Sequence, residues 1–197
     1  MNINLAQGTE KRDWRGQWIW TDTNPQARNA YAFFRRSFDV ATPEDIRVAI
    51  TADSFYELHL DGEVVGRGPA RSHLDYYSFD RHAFSVGPGR HVLAVLVHHI
   101  GVVNATVMTG RPGLLVEVSG SDVEFASDAT WRCCTATAWR QDLPCLMSHF
   151  GFWEECDLRQ LAPDWSSVDF DDGEWVPATV LETSSHCPWK RLVARDI

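Results

Sequence analysis

The sequence has no run of basic residues and no long hydrophobic segment. Its 18 Lys and Arg residues stand against 27 Asp and Glu residues, which gives a net charge of −9 at pH 7. Proteins bind nucleic acids largely by neutralising phosphates, so this balance argues against a nucleic-acid partner. No apolar run approaches the roughly 18 residues of a membrane-spanning helix. The first residues also lack the basic segment and hydrophobic stretch of a signal peptide, and we expect no membrane partner.

The sequence also lacks a metal-binding cysteine motif. The number of cysteines is odd, two of them are adjacent, and no C-x-x-C pair occurs, so a zinc site has little support. We expect a reduced, cytoplasmic protein, or a secreted or periplasmic one if the sequence lacks its signal. The five cysteines are Cys133, Cys134, Cys145, Cys156 and Cys187.

No long stretch of the sequence has a helical period, and no nucleophile elbow, phosphate-binding glycine loop or Ser/His/Asp order is present. What the sequence does contain is eight or nine short segments with strand character, separated by turns. That spacing predicts an all-β fold, an antiparallel β-sandwich or jelly roll, rather than a βαβ architecture. With 197 residues, of which 44% are hydrophobic, the chain is long enough for one well-buried domain.

The stretch 50–71 is the clearest of these segments and predicts a β-hairpin. Residues 56–60 alternate between apolar and polar side chains, as a half-buried strand does. Asp61 and Gly62 form a typical hairpin-turn pair, because glycine tolerates a positive φ. Pro69 has no N–H group for a ladder and ends the returning strand.

Other strands follow from the same alternation. Trp14, Trp18 and Trp20 would lie on one face of a continuous strand. Tryptophan more often fills a core than it presents a flat face to a sugar. We assign no strand to 72–85, which is polar and aromatic. The predicted strands lie at 14–20, 29–40, 46–52, 90–99, 114–118, 123–126 and 175–181, with one more beginning at 128–132.

The composition of the sequence changes at about residue 139. From 139 to 175, tryptophans and prolines are spread among acidic residues and turn signals, which predicts an irregular C-terminal excursion from the sandwich. We therefore predict a flexible N-terminus at 1–13, a β-sandwich domain at 14–189 that includes this excursion, and a linker toward a following domain at 190–197.

Laid out in this order, the motifs resemble the N-terminal β-sandwich of bacterial α-L-rhamnosidases, the inverting enzymes of glycoside hydrolase family 78. The resemblance covers about residues 14–197. The motifs that carry it are Trp-Ile-Trp at 18–20, Phe-Arg-Arg-x-Phe at 34–38, Ala52-Asp53-x-x-Tyr56-x-Leu58-x-Leu60-Asp61-Gly62-x-x-Val65-Gly66-Arg67-Gly68-Pro69, Glu155-Cys156-Asp157-Leu158-Arg159, Asp171-Asp172-Gly173-Glu174-Trp175-Val176-Pro177-Ala178, and Pro188-Trp189 before Arg195-Asp196-Ile197.

This resemblance implies a galactose-binding-like jelly roll that accompanies a catalytic helical barrel in the same protein. The barrel supplies the catalytic carboxylates in such enzymes, and a chain of this length has no room for it. The implied role is a non-catalytic accessory domain that packs against the barrel and contacts carbohydrate, a rhamnoside above all. Cys156 and Leu158 interrupt the acidic segment of the family pattern, and His98-His99 replace an expected turn rich in glycine and tryptophan.

The candidate carbohydrate contacts are Glu155, Asp157 and Arg159. Carboxylates and a guanidinium make paired hydrogen bonds to neighbouring hydroxyls, and carboxylates also ligate Ca²⁺. The alternative for the same three residues is a structural ion-pair cluster that ties the excursion to the sheet. Neither interpretation requires a bound cofactor, and Ca²⁺ is the one candidate.

Two further groups offer weaker sites. Arg67 and Arg71 flank Pro69 in a rim loop, where either reaches a sugar or a neighbouring domain. A second group of carboxylates, at Asp169, Asp171 and Asp172, lacks the spacing and the final Glu of a calcium-binding loop and is typical of a solvated turn.

The alternative function is a stand-alone, cupin-like metalloenzyme that uses His98 or His99. A metal-binding jelly roll needs histidines on one face of the sheet together with a further ligand. Adjacent residues of a strand point to opposite faces, so at most one of these two rings can serve such a site.

Overall fold

The computed structural model describes residues 14–73, 76–105, 107–108, 110–147, 151–181 and 191–195. These residues form strands, turns and loops, and none of them belongs to a helix that could cross a membrane. The strands are β1 (Ile19–Trp20), β2 (Ala30–Val40), β3 (Glu44–Ala52), β4 (Phe55–Leu60), β5 (Glu63–Gly68), β6 (Tyr77–Val86), β7 (Gly89–His99), β8 (Leu114–Ser119), β9 (Glu124–Ala126), β10 (Arg132–Thr135), β11 (Cys145–Met147), β12 (Gly151–Phe152), β13 (Val176–Pro177), β14 (Thr179–Val180) and β15 (Leu192–Arg195).

The strands form two main sheets. Sheet A has the order β14-β1-β8-β3-β6-β15, with β9 added to β8, and sheet B has the order β13-β10-β2-β7-β4-β5. All pairs are antiparallel except β15 with β6. A separate hairpin of β11 and β12 lies inside the excursion.

The main core lies between the sheets. It is built mainly from alternate residues of the longer strands, such as Ile46, Val48 and Ile50 of β3 and Leu93 and Val95 of β7. Burying one face of each sheet is what an alternating pattern achieves. The predicted all-β antiparallel sandwich is therefore confirmed, while the narrower jelly-roll and galactose-binding-like names stay predictions.

The predicted hairpin is β4 and β5. Asp61 and Gly62 have φ angles of 53° and 94°, so both turn residues adopt the left-handed conformation expected of a two-residue hairpin turn. The Asp61 carboxylate accepts a hydrogen bond from the backbone N–H of Val92 at 2.8 Å, which ties the turn to β7. The hairpin is thus fixed to β7 and forms one end of sheet B.

Strand β2 is buried on both faces, which explains why neither face of this strand is purely apolar or polar in the sequence. Phe34 points into the main core, whereas Tyr31 and Phe33 belong to a second apolar cluster on the outer face of sheet B. The excursion supplies the other half of that cluster, with Trp165 and Phe170 among its members. The excursion therefore covers one part of sheet B.

Two segments differ from the sequence-based expectation. Strand β6 occupies most of 72–85, where we assigned no strand, because the buried Asp80 interrupts its apolar face. Strand β15 lies inside the predicted linker 190–197 and pairs in parallel with β6 at the edge of sheet A. Residues 1–13 lie outside the described part of the chain, and the domain boundaries stay predictions.

Candidate functional site

The outer face of sheet B has a part that the excursion leaves open. Strands β4, β5 and β7 and the Gly68–Pro69 segment enclose a depression of about 420 Å³ there, which we call the hairpin cleft. Its lining residues are Phe55, Tyr56, Glu57, Arg67, Gly68, Pro69, Leu96, His98 and Arg195. Of the predicted contacts, this cleft contains Arg67.

The floor of the hairpin cleft is apolar and aromatic. Phe55 is 36% exposed, and its ring centroid lies 6.3 Å from that of His98. The His98 ring stacks on Tyr31 at 3.8 Å, and Tyr31 stacks in turn on Trp139 of the excursion at 5.1 Å. Burial, together with the neighbouring His99, lowers the pKa of His98 to about 3, so its ring is uncharged at neutral pH.

One rim of the cleft is a carboxylate with two fixed partners. Arg67 donates from Nε and Nη2 to Oε2 of Glu57 at 2.8 and 2.6 Å. The other oxygen, Oε1, lies 2.9 Å from Nε2 of His59, which is buried against Trp165. Because β4 and β5 pair Glu57 directly with Arg67, the hairpin register sets this geometry.

On the opposite side of the cleft, a buried carboxylate holds two of the lining side chains in place. Asp80 is fully buried and accepts hydrogen bonds from the Tyr56 hydroxyl at 2.5 Å and from Nε of Arg195 at 2.6 Å. Burial and the bond to Asp80 raise the pKa of Tyr56 above its usual range, so the phenol stays a donor. Arg195 therefore reaches the cleft with its charge already paired.

Glu155, Asp157 and Arg159 lie together in a second depression of about 450 Å³, which we call the excursion depression. Arg159 makes a bidentate contact to Asp157, with both N–O distances at 2.8 Å. Arg140 pairs with Glu155 at 3.1 Å and with Asp142 at 2.7 Å. Glu155, Asp157 and Arg159 are thus neighbours, and each of the two carboxylates is paired with a guanidinium.

The acidity of Asp157 bears on what this depression does. Hydrogen bonds from the Arg159 side chain and backbone lower the pKa of Asp157 to about 2. A glycosidase general acid needs a raised pKa in order to be protonated near neutral pH. Asp157 is therefore suited to accepting hydrogen bonds rather than to donating a proton.

Two of the three carboxylates at 169–172 have structural partners. Asp172 lies 3.0 Å from Nε of the fully buried Arg35, and Asp171 accepts a hydrogen bond from the backbone N–H of Gly173 at 2.9 Å. Arg71 is exposed beyond Pro69 and lines a separate, narrow recess rather than the hairpin cleft. Among the described residues, no group of three or more His, Cys, Asp or Glu side chains is arranged to hold a metal ion.

The two adjacent histidines point to opposite faces of β7. The Nε2 of His98 lies 3.0 Å from the Asn29 amide oxygen on the outer face. The Nδ1 of His99 lies 2.8 Å from Asp53 inside the sandwich, and the ring is fully buried. The structure thus separates the two rings, as the strand pattern indicates, and each contacts a residue of the fold.

The sequence-based prediction of the site did not include Phe55, Glu57 or Arg35. Phe55 and Glu57 share the parity of His59, opposite to that of the core-facing Tyr56, and that alternation was the available signal. Arg35 gives no local signal, because its partners lie more than 100 residues away in the chain.

Comparisons with known proteins agree with the resemblance found in the sequence. A family 78 rhamnosidase of Bacillus sp. GL1 is 38% identical to this chain, with a TM-score of 0.85, over 93% of this chain and 20% of that one. An α-L-rhamnosidase from Dictyoglumus thermophilum is 18% identical, with a TM-score of 0.70, over 94% of this chain and 22% of that one. The chain thus spans about a fifth of the length of these enzymes and is similar to one domain of them.

A smaller protein shares the fold. A lectin from Pleurotus ostreatus is 20% identical, with a TM-score of 0.58, over 90% of this chain and 45% of that one. At this identity the likeness concerns the fold alone. No protein-family profile matches the chain, and no curated protein matches it.

Proposed function

We propose that this chain is a non-catalytic β-sandwich domain of an α-L-rhamnosidase-like glycoside hydrolase, and that it packs against the catalytic domain and contacts carbohydrate. The observation that carries the proposal is the 38% identity over 93% of the chain to one fifth of a Bacillus rhamnosidase. An accessory domain is expected to match a small part of a larger enzyme over nearly the whole of its own length.

The chemistry of the exposed carboxylates supports a non-catalytic role. Inverting hydrolysis uses one carboxylic acid and one carboxylate on opposite sides of a sugar, roughly 6.5–9.5 Å apart. In the excursion depression, Asp157 has its pKa lowered to about 2, and Glu155 is paired with Arg140. These groups fit the recognition of hydroxyls better than proton transfer.

Exposed apolar side chains support packing against another domain. Leu158 is 72% exposed and Trp153 is 55% exposed, both in the excursion. Interdomain surfaces within one chain resemble moderately polar protein interfaces, in which aromatic side chains are enriched. The helical-barrel catalytic domain of the parent enzyme is the partner that the proposal assigns to this surface.

The carbohydrate contact involves the predicted residues of both depressions. Glu155, Asp157 and Arg159 present acceptors and donors side by side, and Arg67 does so at the hairpin cleft. Arg71 lies next to that cleft, and the proposal includes it as a more distant sugar contact. Ca²⁺ is the candidate ion, because exposed carboxylates are its ligands.

Two measurements on the isolated chain test the proposal. We expect no release of the chromophore from an aryl α-L-rhamnoside, and hydrolysis by the chain alone would contradict the non-catalytic role. We expect L-rhamnose or a rhamnoside to give a heat of binding in calorimetry, with and without Ca²⁺. No heat and no thermal shift at millimolar sugar would leave only the packing role.

A further inference from the structure

We propose that the hairpin cleft is a binding site for a neutral pyranoside, which rests its C–H face on Phe55 and His98 and bonds two neighbouring hydroxyls to Glu57 and Arg67. This inference rests on the proposed carbohydrate role and assigns its main contact to the hairpin instead of the excursion. The cleft volume of about 420 Å³ lies in the range of roughly 300–1,000 Å³ that small-molecule sites occupy.

The floor of the cleft suits the apolar face of a sugar. Phe55 is one of the exposed large apolar side chains, and Leu96 and His98 beside it are half-buried. With its pKa at about 3, His98 presents an uncharged aromatic ring. An aromatic surface beside a few fixed polar groups is the usual composition of a small-molecule pocket.

The floor is also held in place before any ligand arrives. His98 lies flat on Tyr31, with an interplanar angle of 9°, and its Nε2 is fixed by Asn29. Asn29 in turn lies within hydrogen-bonding distance of the backbone carbonyls of Arg140 and Gln141, at 3.4 and 3.5 Å, which ties it to the excursion. A site whose side chains are already ordered loses less entropy on binding.

The rim offers a donor and an acceptor at fixed spacing. Glu57 is held from one side by Arg67 and from the other by His59, so its carboxylate does not need to reorient. A carboxylate has about four lone-pair positions and a guanidinium has five N–H groups, so both keep hydrogen-bonding capacity after pairing. Neighbouring hydroxyls of a pyranoside match this adjacent donor and acceptor.

The charges around the cleft favour a neutral ligand. Arg67 is paired with Glu57, Arg195 is paired with the buried Asp80, and His98 is uncharged. An anionic sugar would have to compete with a carboxylate for either guanidinium. We therefore expect no preference for a uronate or a sulfated sugar.

The proposal is tested by calorimetric titration of the chain with methyl α-L-rhamnopyranoside, and with D-glucuronate as the charged comparison. Two variants at the cleft, Phe55→Ala and Arg67→Gln, should each weaken binding of the neutral glycoside by at least about tenfold, or abolish it. Arg15→Gln is the matched control, because Arg15 is also an exposed, carboxylate-paired arginine and lines neither depression. Arg159→Gln tests the excursion depression in the same way. Unchanged melting temperatures establish that the variants are folded.

The other outcomes contradict either this proposal or the function on which it rests, and they can be told apart. Binding that Arg159→Gln weakens and the cleft variants do not would keep the carbohydrate role but place it in the excursion depression. Absence of binding by the wild-type chain at millimolar glycoside would leave the cleft as a surface for a neighbouring domain. Glucuronate binding at least about tenfold tighter than the neutral glycoside would contradict the charge argument. Rhamnosidase activity of the chain alone would instead contradict the proposed function.

Discussion

The sandwich and the excursion are stabilised in different ways. Between the sheets, the core is a continuous set of apolar side chains drawn from most of the strands, so no single residue dominates. The excursion packs a smaller aromatic cluster on sheet B and is also held by one buried guanidinium, that of Arg35. Adjacent residues of β2 serve the two regions, since Phe34 faces the sandwich core and Arg35 faces the excursion. The sandwich thus distributes its stability, while the excursion concentrates it.

Arg35 is 1% exposed and is almost surrounded by excursion backbone. Its guanidinium donates to the carbonyl oxygens of Trp165, Ser167 and Phe170, the last two at 3.0 and 3.3 Å, and it pairs with Asp172. It also lies 5.0 Å from the centre of the Phe170 ring. A single side chain therefore satisfies three carbonyl groups of a segment that has little regular structure.

The largest effect is expected from Phe34→Ala. Removal of this fully buried ring leaves a cavity between the sheets, and such substitutions cost about 3–5 kcal/mol of unfolding free energy. Urea unfolding followed by tryptophan fluorescence should show one transition with a lower midpoint, because the whole sandwich loses stability together. A loss that is confined to the excursion would contradict the idea of a shared core.

A somewhat smaller and local effect is expected from Arg35→Met. The change leaves backbone carbonyls without their donor, at a cost of about 2–3 kcal/mol. Limited proteolysis should then cut within 139–175 before it cuts the sandwich. Arg36→Met is the control, because Arg36 donates to the Thr130 carbonyl at an exposed position and should leave the cleavage pattern unchanged. Equal cleavage of both variants would show that the guanidinium does not hold the excursion.

Acid should weaken the contact between the two regions. Burial holds the pKa of His98 in the folded chain at about 3, below its ordinary value of 6.5. Between these pH values the unfolded chain therefore binds a proton at His98, whereas the folded chain does not. The stability that comes from the uncharged ring is complete above pH 6.5 and is lost as the pH falls toward 3. The slope from one such group reaches about 1.4 kcal/mol per pH unit.

The test is a comparison of urea midpoints between pH 7 and pH 4 for the wild type and His98→Phe. The phenyl ring keeps the stack on Tyr31 but cannot be protonated, so the variant should lose less stability on acidification. Parallel pH profiles for the two proteins would show that His98 does not contribute to the acid sensitivity.

The smallest effect is expected from Asp157→Asn. The ion pair with Arg159 lies on the surface, and exposed pairs contribute little to stability. The urea midpoint at pH 7 should be indistinguishable from that of the wild type. A clear loss of stability would support the earlier alternative that this cluster ties the excursion to the sheet.

The same contrast explains what could be predicted from the sequence. The hairpin, β3 and β7 follow from local alternation and a strong turn pair, so their positions were predicted correctly. Strand β6 was missed because Asp80 sits on its buried face, and the partners of Asp80, Tyr56 and Arg195, come from distant parts of the chain. Arg35 was missed for the same reason.

For the candidate site, the sequence identified one rim of the hairpin cleft. Arg67 was singled out as a residue of the loop, whereas Phe55 and Glu57 gain significance only when β7 brings His98 beside them. Glu155, Asp157 and Arg159 lie close in the sequence, and the structure places them around one depression. The partner of Glu155, however, is Arg140, which the pattern did not indicate.

Strand β15 also affects how the molecule behaves toward copies of itself. By pairing with β6, it occupies an edge of sheet A whose N–H and C=O groups would otherwise be open to another chain. Its last residue, Arg195, neutralises a carboxylate that has no contact with solvent. A shortened form that ends before residue 191 would expose a bare strand edge together with an unpaired buried charge. Aggregation is then the expected fault of the shortened form.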